Sequence, residues 1–303
     1  MPSFLGIGEC MMELSPQQND LYAKSYAGDV LNTLWYACLT LDPSWQVGFH
    51  SAFGTDPASQ DMKRFIEAAG ISCDPTPEIA SRIPGLYMIH LDGAERSFSY
   101  WRDRSAARLL MRNPDLLWER VAQADMVYLS GITLAILSES DADLLIENLP
   151  KYVKKDALLA FDPNIRPRLW NTPDRMKKVI TRMAAVSDIV LPSFDDERDC
   201  FGDSTPEATA ARYAGLGVKH VVVKCGDAPT IVMQDAQMEQ FPVPPISGVL
   251  DTTAAGDSFN GSYLSHFLMS RDVPQAVQAA QDCAAQVVCV KGALISIESW
   301  QEA

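Results

Sequence analysis

The chain has 303 residues, 47% of them hydrophobic, enough to bury one large core or two modest ones. Asp and Glu outnumber Lys and Arg by 39 to 25, a formal charge of −14, which argues against a nucleic-acid or anionic-membrane surface as the main partner and for small-molecule chemistry. The 7 cysteines are scattered without Cys-x-x-Cys spacing and the 4 histidines stand apart, so neither a disulfide framework nor a zinc centre is expected, and a reducing cytoplasm is.

In chain order, short apolar runs alternate with helix-period segments. A strand is expected at 4–8, a helix at 32–41, a strand at 45–53 and a helix at 57–69. Strands at 126–132, 157–162, 188–192 and 220–226 then alternate with helices at 138–148, 172–185 and 205–215. This alternation predicts an α/β layered fold with a mostly parallel sheet covered on both faces. The rhythm breaks at 84–102, where two extended runs flank Asp92-Gly93, a hairpin signal. With the segment 9–27 it predicts a small β insertion able to serve as a lid, within one catalytic domain spanning 1–303. No stretch approaches the roughly 18 apolar residues of a membrane span.

A further helix is predicted at 256–270, amphipathic through Phe259, Tyr263 and Phe267 with Leu264 and Leu268 beside them. Just before it, "DTTAAGD" (251–257) crowds small residues at a helix N-terminus, where unpaired N–H groups and the dipole suit a phosphate oxygen. The plain alternative makes Thr252 or Thr253 an N-cap and Asp257 a dipole partner. A hydroxyl that attacks a bound phosphoryl group needs a base as the phosphorus bond forms, and Asp257 can be that base.

The string Asp-Thr-x-small-Ala-Gly-Asp resembles the C-terminal signature of the ribokinase, or PfkB, family of sugar kinases, in which the last Asp is the catalytic base. "AGDVLNT" (27–33) resembles that family's Gly-Gly-x-x-x-Asn segment beside the sugar, and "VVVKCG" (221–226) its strand and Lys-x-Gly turn at the nucleotide. The strings "GECMMELS" (8–15), "RIPGLYMI" (82–89), "YWR" (100–102), "LSGITLAILS" (129–138) and "DPNIRPRLW" (162–170) are similar to those of the family's 2-keto-3-deoxygluconate kinases. Three departures stand out: Ala254 replaces the usual Gly, Ser262 sits where Gly or Ala is commoner, and "PSFDDE" (192–197) has Ser193 where the family has Asn.

The resemblance implies a ribokinase-like three-layer fold with a β lid at about 9–27 and 80–104, ATP and Mg2+, and a homo-oligomer, dimer or larger. It implies Asp257 as catalytic residue with Gly256, Ala255 and Ala254 as the anion hole. Gly28, Asp29, Asn32 and Tyr87 would face the sugar. Asn164, Ser193, Lys224, Gly226 and Gly256 would meet the nucleotide, and Asp196 or Glu197 the metal. The arginines bear on the substrate: Arg96, Arg102, Arg104 and Arg108 gather along the lid, and Arg166 and Arg168 follow the strand ending at Asp162. Tyr100 and Arg102 alternate onto one strand face, and an Arg fork suits a carboxylate, so Arg166 with Tyr100 and Arg102 is expected to hold a sugar acid.

Three other readings compete with this one: a kinase of a neutral sugar or nucleoside, a non-catalytic sensor, and a dinucleotide oxidoreductase. Binding alone needs no base, which disfavours the sensor. "GIGECM" lacks the third glycine of a dinucleotide fingerprint, with Met11 in its place, and no phosphate-binding G-x-x-x-x-G-K motif occurs.

Overall fold

Unbroken apolar runs such as MVYLS and LLAFD have no polar face, so they are stable only with helices on both sides. The computed structural model, which describes residues 1–92, 95–296 and 300, places them at the centre of a large sheet. In chain order the strands are β1 (Ser3–Ile7), β2 (Met11–Pro16), β3 (Tyr22–Ala27), β4 (Gln46–His50), β5 (Ile71–Ser72), β6 (Gly85–Asp92) and β7 (Glu95–Trp101). They continue as β8 (Met126–Ser130), β9 (Leu158–Asp162), β10 (Ile189–Val190), β11 (His220–Val223), β12 (Thr230–Gln234) and β13 (Gln237–Phe241). The large sheet runs β13-β12-β11-β10-β9-β8-β1-β4-β5. It is parallel from β5 to β11 and closes with the antiparallel β11-β12-β13 edge.

The helices are α1 (Asp29–Thr40), α2 (Pro57–Ala68), α3 (Pro114–Gln123), α4 (Gly131–Ile136), α5 (Glu139–Tyr152), α6 (Pro173–Ala184), α7 (Phe194–Phe201), α8 (Pro206–Gly215), α9 (Ala255–Ser270) and α10 (Val273–Val288). Alternate residues of β1 divide between two cores: Phe4 joins residues of α1, α2, α9 and α10, whereas Leu5 and Ile7 join those of α3, α5, α6 and α8. None of the helices is long and apolar enough to cross a membrane, among the described residues.

The helix at 256–270 differs from the expectation. Ser258 through Ser265 are all buried, so α9 is covered nearly all round instead of showing one apolar face. It runs between α1 and α10, and Gly261 makes this possible: a Cβ there would stand 2.3 Å from the Thr33 carbonyl oxygen of α1. The small hydroxyls are accommodated by bonding back along the helix, as Ser265 Oγ does to the Gly261 carbonyl at 2.7 Å.

A second sheet, β3-β2-β6-β7, is built from the two segments that break the α/β rhythm. Its inner ends converge, with Met11 opposite both Ala27 and Gly85, and Leu86 opposite Trp101. Gly93 of the expected Asp92-Gly93 turn lies outside the described residues, as does the side chain of Arg96.

Candidate active site

The DTTAAGD stretch reaches α9 through Ala254, which takes φ 61° and ψ 12° in the left-handed region. An L-residue pays roughly 1–2 kcal/mol for that conformation, which glycine would avoid. Neither threonine caps the helix: the N-cap is Ala254, and no side-chain cap bond is made. The first-turn N–H groups, those of Gly256 and Asp257 among them, are the ones helix geometry leaves without an intrahelical acceptor.

The N-terminal turns of α1 and α9 meet at Asp257, whose Oδ2 accepts from Asn32 Nδ2 at 2.8 Å. Asn32 Oδ1 in turn accepts from the Gly28 N–H at 3.2 Å. A side chain at Gly28 would strike the Glu9 carbonyl oxygen at 2.1 Å, so this turn requires glycine. Asp257 is half-buried, and loss of hydration, then the nearby Asp29 and Asp162 carboxylates, push its pKa up to about 7, against the pull of Asn32 and Lys224.

Below it lies a polar floor. Asp29 Oδ2 accepts from Asn164 Nδ2 at 2.8 Å, and Asn164, held at φ 33°, donates its N–H to Asp162 Oδ1 at 2.9 Å. Asp162 Oδ2 takes Lys224 Nζ at 2.8 Å and Asn260 Nδ2 at 2.6 Å. Lys224 stands just past β11, beside Ser193, with which it forms an isolated bridge, and Gly226 turns the chain with φ 63°.

Two residues of this floor are missing from the sequence-based site set. Asn260 is a helical turn after Asp257 and so shares its face. Asp162 is a carboxylate at the C-terminal end of a parallel strand, where open α/β sheets place ligands.

Several expected site residues lie elsewhere. Arg102 is buried and paired with Glu9, which also accepts from Ser105, so Arg102 does not share an open strand face with the half-exposed Tyr100; β7 ends at Trp101 and the chain turns inward. Its Nε is buried without a hydrogen-bond partner among the described residues. Tyr87 is buried and donates its hydroxyl to Glu13. Its ring centroid lies 5.9 Å from that of Tyr100, over which the Arg168 guanidinium stands at 5.7 Å. Arg166 is exposed and reaches Asp196 Oδ2 at 3.3 Å. Glu197 points away from the floor: its two oxygens accept from Tyr213 at 2.8 Å and Arg212 at 2.6 Å inside the α7–α8 packing, because it falls on the buried face of α7. Glu197 is therefore corrected from candidate metal ligand to buried counter-ion. Asp196, one residue earlier, stays half-buried, its burial raising its pKa against the pull of Arg166. Among the described residues no three His, Cys, Asp or Glu side chains cluster to hold a metal ion by themselves.

A half-buried carboxylate of raised basicity, a turn of unpaired N–H donors and a buried ammonium thus occupy one place. Together they can take a proton from a hydroxyl and stabilise negative charge developing beside it.

The model of the pfkB family carbohydrate kinases matches residues 1–300. The chain is 38% identical to the 2-dehydro-3-deoxygluconokinase of Haemophilus influenzae, over 95% of this chain and 94% of that protein. It is 36% identical to the 2-dehydro-3-deoxygluconokinase of Dickeya dadantii, over 97% and 96%. The crystal structure of a PfkB protein from Polaromonas sp. JS666 superposes with a TM-score of 0.85 at 27% identity, covering 100% of both chains.

Proposed function

The chain belongs to the pfkB family of carbohydrate kinases, and we propose that it transfers the γ-phosphoryl group of ATP to 2-keto-3-deoxygluconate, giving 2-keto-3-deoxy-6-phosphogluconate. The observation that carries this reading is the 36–38% identity, over nearly the whole chain, to proteins named 2-dehydro-3-deoxygluconokinase. The enzyme is a phosphotransferase with an alcohol as acceptor.

The sugar lies over Gly28, Asp29 and Asn32, with its terminal hydroxyl beside Asp257. Asp257 takes the hydroxyl proton while the N–H groups at the head of α9, those of Gly256 and Asp257, face the transferred group. Arg166, the exposed guanidinium that reaches Asp196, holds the carboxylate at the other end, aided by the half-exposed Tyr100. Asn164, Ser193, Gly226 and Lys224 line the nucleotide side. Mg2+ suits this donor set: it keeps several waters and needs only one or two carboxylates besides phosphate oxygens, and Asp196 supplies one. Bound there, Mg2+ would neutralise charge on the ATP phosphates.

Exposed Ile83 and Trp101 beside the small sheet suit a homo-oligomeric contact, a dimer or larger. The free cysteines suit a cytoplasmic setting. ATP consumption measured side by side with 2-keto-3-deoxygluconate, fructose, ribose and adenosine tests the assignment. The sugar acid should give the highest kcat/KM, and faster turnover of fructose, ribose or adenosine would reject it.

A further inference from the structure

Lys224 leaves the end of β11 and turns its ammonium into the floor, donating to Asp162 Oδ2 at 2.8 Å and Asn260 Oδ1 at 3.0 Å. The same Nζ lies 3.6 Å from where a Cβ on Gly256 would stand, against the turn that carries the unpaired N–H groups. Asn260 is itself held: its Nδ2 donates to Asp162 at 2.6 Å and to the Tyr128 hydroxyl at 3.2 Å, so its amide cannot flip without losing both. Lys224, Asp162 and Asn260 are all buried. A desolvated ion pair is weak evidence for stability in itself, and here it places a cation among Asp29, Asp162 and Asp257.

We propose that Lys224 is a catalytic residue whose ammonium faces the phosphoryl group in transit, and that Asn260 and Asp162 are the positioning residues that hold it there. The inference rests on the kinase reading above and deepens it, since a lysine that merely binds nucleotide holds ground state and transition state alike and leaves kcat unchanged. In the step, the sugar oxygen forms a bond to the γ-phosphorus. The bond from that phosphorus to the β,γ-bridging oxygen breaks, its electron pair leaves with ADP, and the hydroxyl proton passes to Asp257. Lys224 keeps its protons throughout and offsets charge on the equatorial oxygens.

The test measures kcat, both KM values and melting temperature for the parent, Lys224→Met, the double variant Lys224→Met/Asp162→Asn, and Asn260→Leu. The single lysine variant strands a buried carboxylate, so the double variant, which removes both charges, keeps the question open if the single one unfolds. Loss of one such preorganised group should lower kcat about 100- to 1,000-fold. Both KM values should stay within about threefold of the parent, the signature of an interaction made only in the transition state. Asn260→Leu should show the same split, with about a tenfold loss in kcat. A folded double variant with the parent's kcat would make the pair structural, a loss confined to KM for ATP would make Lys224 a ground-state contact, and an unfolded double variant would assign the pair to folding. Each of these overturns the inference while the parent's activity leaves the kinase reading standing. A parent that phosphorylates no sugar removes that reading and the inference with it.

Discussion

Asp257 can accept a proton only in its charged form, so its surroundings set the pH range of the reaction. Burial and the Asp29 and Asp162 carboxylates hold its pKa near 7, while Asn32 and Lys224 oppose them. With a raised pKa, the active fraction falls as pH drops through that value. kcat/KM should therefore lose about tenfold per unit on the acid side, a limb that reports the free enzyme. Asp257→Asn should lower kcat by roughly 100-fold or more while the melting temperature holds; turnover within a few-fold of the parent would leave Asp257 a helix-dipole partner. At Ala254 the left-handed backbone predicts the opposite kind of change. Relief of about 1–2 kcal/mol of strain, less the extra chain entropy of glycine, about 0.5–1 kcal/mol, should leave Ala254→Gly more stable by about 0.5–1 kcal/mol in denaturant titration. Arg166→Leu removes one charge-assisted contact of about 1.5–3 kcal/mol, so KM for the sugar acid should rise roughly 10- to 100-fold. An equal loss on fructose would reject the carboxylate clamp.

At the scale of elements, α1 and α9 are one device, because their first turns present Asn32 and Asp257 to each other and Gly261 sets how closely they approach. Gly261→Val adds bulk 2.3 Å from a carbonyl oxygen that cannot move without unwinding α1. Overpacking of this kind typically costs about 1–3 kcal/mol, and the melting temperature should fall with it. The shift should also lengthen the Asn32–Asp257 contact and lower kcat. The small sheet predicts a response to ligand: as a lid, β6 and β7 should exchange amide hydrogens more slowly when sugar binds, and ATP hydrolysis without sugar should be slow. Unchanged protection would make this sheet a fixed element. Elements with strong local signals were legible in the sequence: β8 and β9 as unbroken apolar runs, and α2, α6 and α8 by period. The helical character of α9 was legible too, but its burial was not, since Ser258, Ser262 and Ser265 read as a polar face until α1 and α10 pack on either side of the helix.

For the molecule as a whole, the inner ends of the small sheet converge on a buried ion pair, Arg102 with Glu9, between the two sheets. Removing one partner of a buried pair costs about 3–5 kcal/mol because the other charge is stranded. Glu9→Leu should therefore destabilise the chain by that order in denaturant titration, whereas a small effect would show that Arg102 finds solvent there. This pairing also marks the boundary of sequence reasoning. The sequence by itself determined the α/β class, the parallel core, the β insertion, and Asp257 behind a small-residue turn, because each is written in local periodicity or in residues a few positions apart. Only the tertiary structure decided which charges meet. Asn32 finds Asp257 across 225 positions, Arg102 finds Glu9 across 93, and Lys224 finds Asp162 across 62. Glu197 turns inward while its neighbour Asp196 does not. A charged side chain several bonds long can satisfy its hydrogen bonds with many partners, and which one it takes depends on the path of the folded backbone, which no local pattern records.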